Sequence, residues 1–264
     1  MKTLIKGIAR SGTSALYFKL REVLPPATWC LFEPHGLAQS ELDGSPEVLA
    51  KIVVGSPDVD VTRLHGFDKK ILIVRDPRDN LVSRLLYHPC GMATIRGDTA
   101  KVATFIDALR RKEADPHSLS MQALFDLVFR LSGLYRPDLA VELYPYALDF
   151  HRNNAGFFVY TYEDFIVGRY AAIENYLGIR LPAGEAEVSA QYEHVVRTKA
   201  AENWRHWFTA DDVNYFRPRL EPYMAAYGYA DNWTLAAEPR IDAAYSSDFV
   251  RRSVAMRNQQ DREA

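Results

Sequence analysis

Cysteine is nearly absent. The 264-residue chain has two, Cys30 and Cys90, far apart and without the spacing of metal ligands. That excludes a zinc ribbon or a disulfide scaffold, and each reads as a small apolar core residue. No stretch reaches the roughly 18 consecutive apolar residues of a membrane span, and no long apolar run precedes the first predicted strand. The expectation is a soluble, cytoplasmic protein. An excess of one charge is also missing: the formal net charge is -2. This argues against a general nucleic-acid binder and leaves room only for a local basic cleft. There is no internal repeat and no low-complexity segment. What is present is a hydrophobic fraction of 48% against 25% charged residues, enough for a full core. The length suits one α/β domain, or one domain with an elaborated cap.

The hydrophobic pattern alternates between strands and helices. Thr3 to Ile8, Thr28 to Phe32, Val48 to Gly55 and Ile71 to Val74 read as strands. Ile71 to Val74 is an unbroken apolar run, as in a strand buried on both faces of a parallel sheet. A further strand and turn lie in Gly156 to Phe165. Helical spacing recurs in Val102, Phe105, Ile106 and Leu109, and again in Leu124, Leu127, Val128 and Leu131. The sequence predicts an α/β fold, a central parallel sheet flanked by helices, with a helical insertion over about 90–152. One domain would span 1–235, followed by a docked helix and polar tail over 236–264. In such sheets ligands bind at the carboxyl ends of the strands, where the loops after Ile8, Phe32 and Val74 lie.

The first of those loops, ARSGTS, joins a strand to a helix. Gly12 lets the backbone turn tightly and approach an anion. The N–H groups of Gly12, Thr13 and Ser14 would face that anion from a helix N-terminus, with Arg10 adding a permanent charge. The bland alternative is an ordinary turn in which Ser11 or Thr13 caps the helix. The lysine of a nucleotide triphosphatase loop is missing. In ILIVRDPRDNLVSRLLYH, Arg75 ends a buried strand and Ser83 follows eight residues later. Both can serve one phosphate, the arginine through a bidentate contact. Asp76 and Asp79 can instead cap the helix that starts there.

Together these stretches resemble the signatures of sulfotransferases that use 3′-phosphoadenosine 5′-phosphosulfate. RSGTSALYFKL looks like the phosphosulfate loop, implying donor contacts from Arg10, Ser11, Gly12, Thr13, Ser14 and Ala15. ILIVRDPRDNLVSRLLYH resembles the 3′-phosphate signature, implying Arg75 and Ser83. FVYTYEDF resembles the strand whose tyrosine, here Tyr162, lies near adenine. RTKAAENWRHWFT looks like the segment that closes over the 3′-phosphate, implying Arg197 and Lys199. The four matches occur in order over residues 4 to about 228. There are departures. Thr198 and Lys199 stand where Lys and Gly are common, Glu202 where a second Gly is common, and Ala15 where many cytosolic members have a tryptophan. Trp204 either packs near adenine or belongs to the core.

Sulfuryl transfer is an in-line displacement in which positioning and charge stabilisation dominate, by analogy with phosphoryl transfer. The transferred group carries less negative charge than a phosphoryl group, so fixed cations suffice and no metal is expected. Arg10, with Lys51, would neutralise the leaving phosphate; Lys51 stands at the family's spacing for a strand lysine, the alternative being a solubilising edge-strand lysine. The acceptor hydroxyl needs a general base. Members acting on phenols and steroids place a histidine two residues after the strand lysine, where this chain has Val53. Glu33 in FEPH resembles the Glu-Pro stretch of carbohydrate sulfotransferases and is the leading base, with His35 and His65 as rivals, His65 reading equally as a plain loop residue. His88 would end its helix as a favourable cation. Arg96, Lys101, Arg110, Arg111 and Lys112 could meet an anionic glycan, the last three reading rather as a solvated helix face. The expected partner is a small-molecule or glycan acceptor. The competing readings are a P-loop kinase or triphosphatase, which requires the missing lysine, and a non-catalytic nucleotide-binding or interaction protein of the same fold.

Overall fold

The computed structural model describes residues 1–34, 39–55, 66–184 and 200–263. In chain order the elements are β1 (Lys2–Gly7), α1 (Thr13–Arg21), β2 (Trp29–Phe32), α2 (Gln39–Gly44), β3 (Val48–Val53), β4 (Lys69–Val74) and α3 (Pro77–Gly91). Next come α4 (Ala93–Arg96), α5 (Thr99–Ala114), α6 (Met121–Ser132), α7 (Leu143–Asn153), β5 (Phe158–Thr161), α8 (Tyr162–Ile166) and α9 (Ala171–Leu177). The last are α10 (Trp204–Trp207), α11 (Ala210–Ala226) and α12 (Ser247–Glu263).

The chain divides into two compact units. The first takes the described residues of Met1–Arg75 and Leu143–Ser189, the second those of Asp76–Glu142 and Ala190–Ala264. The first unit holds a five-stranded sheet in the order β2-β3-β1-β4-β5, with every neighbouring pair parallel. Parallel neighbours cannot be joined by a tight hairpin, so helices and long connections carry the chain back along the sheet. The central strands are apolar because both faces are covered: Leu4, Ile5, Ile71, Leu72, Ile73 and Val74 are all buried. The α/β architecture and the parallel sheet agree with the sequence pattern. The chain leaves β1 toward β2 and leaves β4 toward β5, in opposite directions. The crevice between β1 and β4 is therefore the topological switch point, where an open parallel sheet binds its ligand.

Helix α1 packs against β1 and β3 through Leu16, Tyr17, Phe18 and Leu20. Tyr17 and Phe18 meet the Phe32 ring of β2 at centroid distances of 5.3 and 5.6 Å. At the other end of the sheet, Tyr176 of α9 stacks on Phe158 of β5 at 4.5 Å. Its hydroxyl accepts the Lys70 N–H at 2.9 Å.

The second unit is helical. Pro77 at the first turn and Asp76 as N-cap start α3; the Asp76 carboxylate accepts the Arg78 N–H at 2.9 Å. Asp79 follows in the first turn of α3. Its carboxylate accepts the backbone N–H groups of Glu202 and Trp204. Arg78 binds Asp76 and lies over the faces of Trp204 and Trp233, at 4.2 and 5.0 Å from the ring centroids. Trp204 is fully buried in this cluster with Phe208, so in this unit it is core. Helix α12 runs to Glu263 and packs on α3 and α5 through Phe249, Val250 and Val254.

Two expectations about polar residues in this unit are corrected. Lys112 is not on a solvated face: it is fully buried and its ammonium donates to the carbonyls of Pro116 and Leu119. Helical spacing alone does not reveal this, because the partners lie in the following turn. Asp212, equally buried, accepts the N–H groups of Met121, Gln122 and Thr209 and so caps two helices. His88 is not a helix-end cation. Its ring lies edge-on to Phe125 and Phe129, and its Nε2 is buried without a hydrogen-bond partner. Desolvation, aided by the Arg84 charge, lowers its pKa to about 3. The folded state therefore keeps His88 neutral while the unfolded chain takes up a proton below about 6.5. Its contribution to stability is complete above that pH and is lost as the pH falls toward 3. The advantage of His88→Leu over the parent in urea midpoint should grow progressively from pH 7 toward pH 4. A constant gap across that range would contradict the buried neutral imidazole.

Candidate functional site

The ARSGTS loop is built by close backbone approach at the end of β1. A Cβ on Gly7 would sit 2.5 Å from the Ile73 carbonyl oxygen, 2.6 Å from Ser11 Oγ and 2.9 Å from Thr13 Cγ2. Nothing larger than a hydrogen fits there. Gly7 goes unremarked in the motif above, although a glycine five residues ahead of Gly12 is the spacing of a phosphate loop. Gly7→Ala should cost about 1–3 kcal/mol, because backbone rather than a flexible side-chain end must yield. Thermal unfolding would check this, and an unchanged midpoint would show that the loop tolerates the shift.

Ser11 is buried and turned inward. Its N–H donates to Ile8 O at 3.0 Å, and its hydroxyl lies 2.7 Å from Ile8 O and 3.2 Å from Ile73 O. Its donors are thus engaged with Ile8, just past β1, and with β4, which gives it a shaping part. Gly12 is the N-cap of α1, with φ 95° and no side-chain cap. Thr13 follows, buried, and Ser14 and Ala15 are half-buried in the first turn. Without a side-chain cap, the first-turn N–H groups depend on another acceptor. Arg10 also has a positive φ, 71°. A non-glycine residue in that region is strained, and such strain is a mark of functional loops.

Arg75 follows β4 directly and is buried. Its Nη1 donates to the Arg10 carbonyl at 3.0 Å, its guanidinium lies 4.3 Å from the centre of the Tyr162 ring, and its Nε is buried with no hydrogen-bond partner. A buried donor left unmatched costs free energy that an anion would recover.

A second group surrounds Lys51. The strand carrying it is interior, which removes the edge-strand reading. Lys51 pairs in register with Ile5 and Phe32 and shares their face; its Nζ lies 4.4 Å from the Phe32 centroid. The Lys51 ammonium forms an ion pair with the Glu33 carboxylate. The Glu33 N–H donates to Lys51 O at 2.9 Å. Desolvation lowers the Lys51 pKa, the Glu33 charge opposes this, and Arg10 lowers it further. Lys51 is 3% exposed and Glu33 46%, so one end of the pair is fixed in the protein and the other faces solvent. Glu33, like Arg10, has a positive φ, 50°.

The structure thus brings Arg10, Gly12, Tyr162 and Arg75 together in the first unit, and separately pairs Lys51 with Glu33. Ser83 lies on α3 in the second unit. His35, His65, Arg197 and Lys199 lie outside the described residues. Arg96 forms an ion pair with Asp261, and Lys101 donates to Thr94 O at 3.0 Å. Among the described residues no group of His, Cys, Asp or Glu is placed to hold a metal, and no helix is long and apolar enough to cross a membrane.

No family model matches this chain, and no curated protein matches it in sequence. Solved structures do. The mouse sulfotransferase SULT7A1 complexed with PAP is 19% identical, with a TM-score of 0.52 over 84% of this chain and 83% of that one. Retinol dehydratase, in complex with androsterone and the inactive cofactor PAP, is 13% identical, with a TM-score of 0.50 over 90% of this chain and 82% of that one. At these identities the likeness is one of fold. The protein has the P-loop-like α/β fold of sulfotransferases, a five-stranded parallel sheet flanked by helices.

Proposed function

We propose that the protein transfers a sulfuryl group from 3′-phosphoadenosine 5′-phosphosulfate to a hydroxyl of a carbohydrate or related polar acceptor. The observation that carries this reading is the buried Arg75. It is tied to the phosphate loop through the Arg10 carbonyl and retains an unmatched Nε. A loop for one anion joined to a second cationic group suits a nucleotide with phosphates at two positions.

The residues present fit that donor. The uncapped N-terminus of α1, with Thr13 and Ser14, receives the 5′ side, and Arg10 supplies charge there. Arg75 takes the 3′-phosphate. The sequence resemblance adds Ser83, Arg197 and Lys199 to that phosphate, roles that rest on the motifs alone. The donor supplies an activated sulfuryl group. Arg10 and Lys51 stabilise negative charge developing on the leaving side. Glu33 is exposed enough to reach an acceptor hydroxyl and takes its proton, with Lys51 holding the carboxylate in place. This chemistry needs no metal.

The carbohydrate assignment is supported by Glu33 itself: it follows β2 at the active edge, and Val53 stands where the phenol and steroid enzymes place their base. The test is transfer of labelled sulfate from the donor to a library of hydroxyl compounds. Product labelled on a glycan or polyol supports the reading. Labelling confined to phenols or steroids would overturn the acceptor class, and Mg²⁺-dependent release of phosphate from ATP would favour a kinase or triphosphatase instead.

A further inference from the structure

The part of Tyr162 goes beyond contact with an adenine ring. Register places it: Val74 of β4 pairs with Thr161 of β5, so the next residues, Arg75 and Tyr162, emerge side by side. Thr161 caps α8, its hydroxyl accepting the Asp164 N–H at 3.1 Å, and this fixes where Tyr162 starts the helix. The Tyr162 ring then fills the space a side chain at position 12 would need: a Cβ on Gly12 would lie 2.5 Å from Tyr162 Cδ2. The ring also backs the Arg75 guanidinium at 4.3 Å. Arg75 closes the circuit by donating to the carbonyl of Arg10, two residues before Gly12. Loop, ring and arginine form one closed set of contacts, and Tyr162 and Arg75 are 8% and 5% exposed.

We propose that Tyr162 is a positioning residue that joins the phosphate loop and Arg75 into a single receptor, so that the two phosphates of a 3′,5′-bisphosphate nucleotide are bound cooperatively. This rests on the donor reading above. A rigid stack of side chains transmits coupling because its members cannot move independently. Whatever reorients Arg75 then releases the ring from Gly12 and loosens the loop. An anion seated on the loop, conversely, keeps the guanidinium oriented. Coupling of this kind is reciprocal between the two ligand groups.

The test is calorimetric titration with 3′-phosphoadenosine 5′-phosphate and with 5′-AMP, which lacks the phosphate assigned to Arg75. Arg75→Lys keeps the charge but loses the planar stack. It should weaken 5′-AMP by about threefold or more, and in a Tyr162→Leu background it should no longer do so. Tyr162→Leu alone should weaken the bisphosphate by about tenfold, while Tyr162→Phe, which keeps the ring face, should bind it as the parent does. An unchanged 5′-AMP affinity in Arg75→Lys would overturn the coupling, as would additive effects of the two substitutions. If Tyr162→Leu does not fold, the Arg75→Lys arm decides alone. Failure of the unsubstituted protein to bind the bisphosphate would overturn the donor reading and this proposal with it. Bisphosphate binding with no effect of Arg75→Lys on 5′-AMP would overturn this proposal only.

Discussion

Replacing Arg75 with alanine is expected to weaken 3′-phosphoadenosine 5′-phosphate about 100-fold and 5′-AMP less than tenfold. The first figure follows from a charge-assisted contact worth roughly 2–3 kcal/mol, at about 1.4 kcal/mol for each factor of ten. The guanidinium is buried, so an anion meeting its free Nε is poorly screened by solvent. The smaller loss for 5′-AMP is what Arg75 contributes to the loop through the Arg10 carbonyl and the Tyr162 ring. Calorimetry on both nucleotides checks the pair of numbers. Equal losses would mean that Arg75 only supports the fold and contacts no second phosphate.

Glu33→Gln is expected to cut turnover by about 10²–10⁴-fold while leaving the affinity for the bisphosphate within a few-fold of the parent. The amide keeps the size of the side chain but cannot take a proton from an acceptor hydroxyl. Single-turnover sulfate transfer with saturating donor separates the two quantities. If turnover survives the substitution, Glu33 serves as the ion-pair partner of Lys51, and the base is His35 or His65. The Glu33–Lys51 pair also sharpens what can be expected of Lys51. Its ammonium is desolvated on an interior strand, with a carboxylate on one side and Arg10 contributing positive field. Burial and Arg10 work against its charged form and the Glu33 carboxylate favours it.

The fold was legible in the sequence because its central strands are mostly apolar on both faces. A run such as Ile71 to Val74 suits a strand covered on both sides, as in a parallel sheet. The strand-to-helix turn was legible because Gly12 and the small hydroxyl residues around it follow an apolar strand, and α1 does start at Thr13 with Gly12 as its N-cap. What escaped depends on contacts far apart in sequence. Gly7 is required by an Ile73 carbonyl, a partner in another strand. Lys112 has the local look of a surface lysine and is buried under the turn that follows it. Asp79 has the look of a helix cap, and the N–H groups it receives from Glu202 and Trp204 lie far along the chain. His88 stands near a helix end, where a cation is favourable, but two phenylalanine rings make the neutral form the stable one. In each case a packing partner is involved that spacing along the chain cannot reveal. Tyr162 is the reverse case. The motif drew attention to it, and the structure gives its ring a mechanical setting between Gly12 and Arg75.

Under the proposed function, one receptor reads a nucleotide carrying phosphates at both the 3′ and 5′ positions. Titration of the unsubstituted protein with 3′-phosphoadenosine 5′-phosphate and with 5′-AMP, without added metal, tests it most directly. The expected result is saturable binding of the bisphosphate, tighter than 5′-AMP by about 100-fold. Equal affinity for the two nucleotides, or no binding of either, would contradict it.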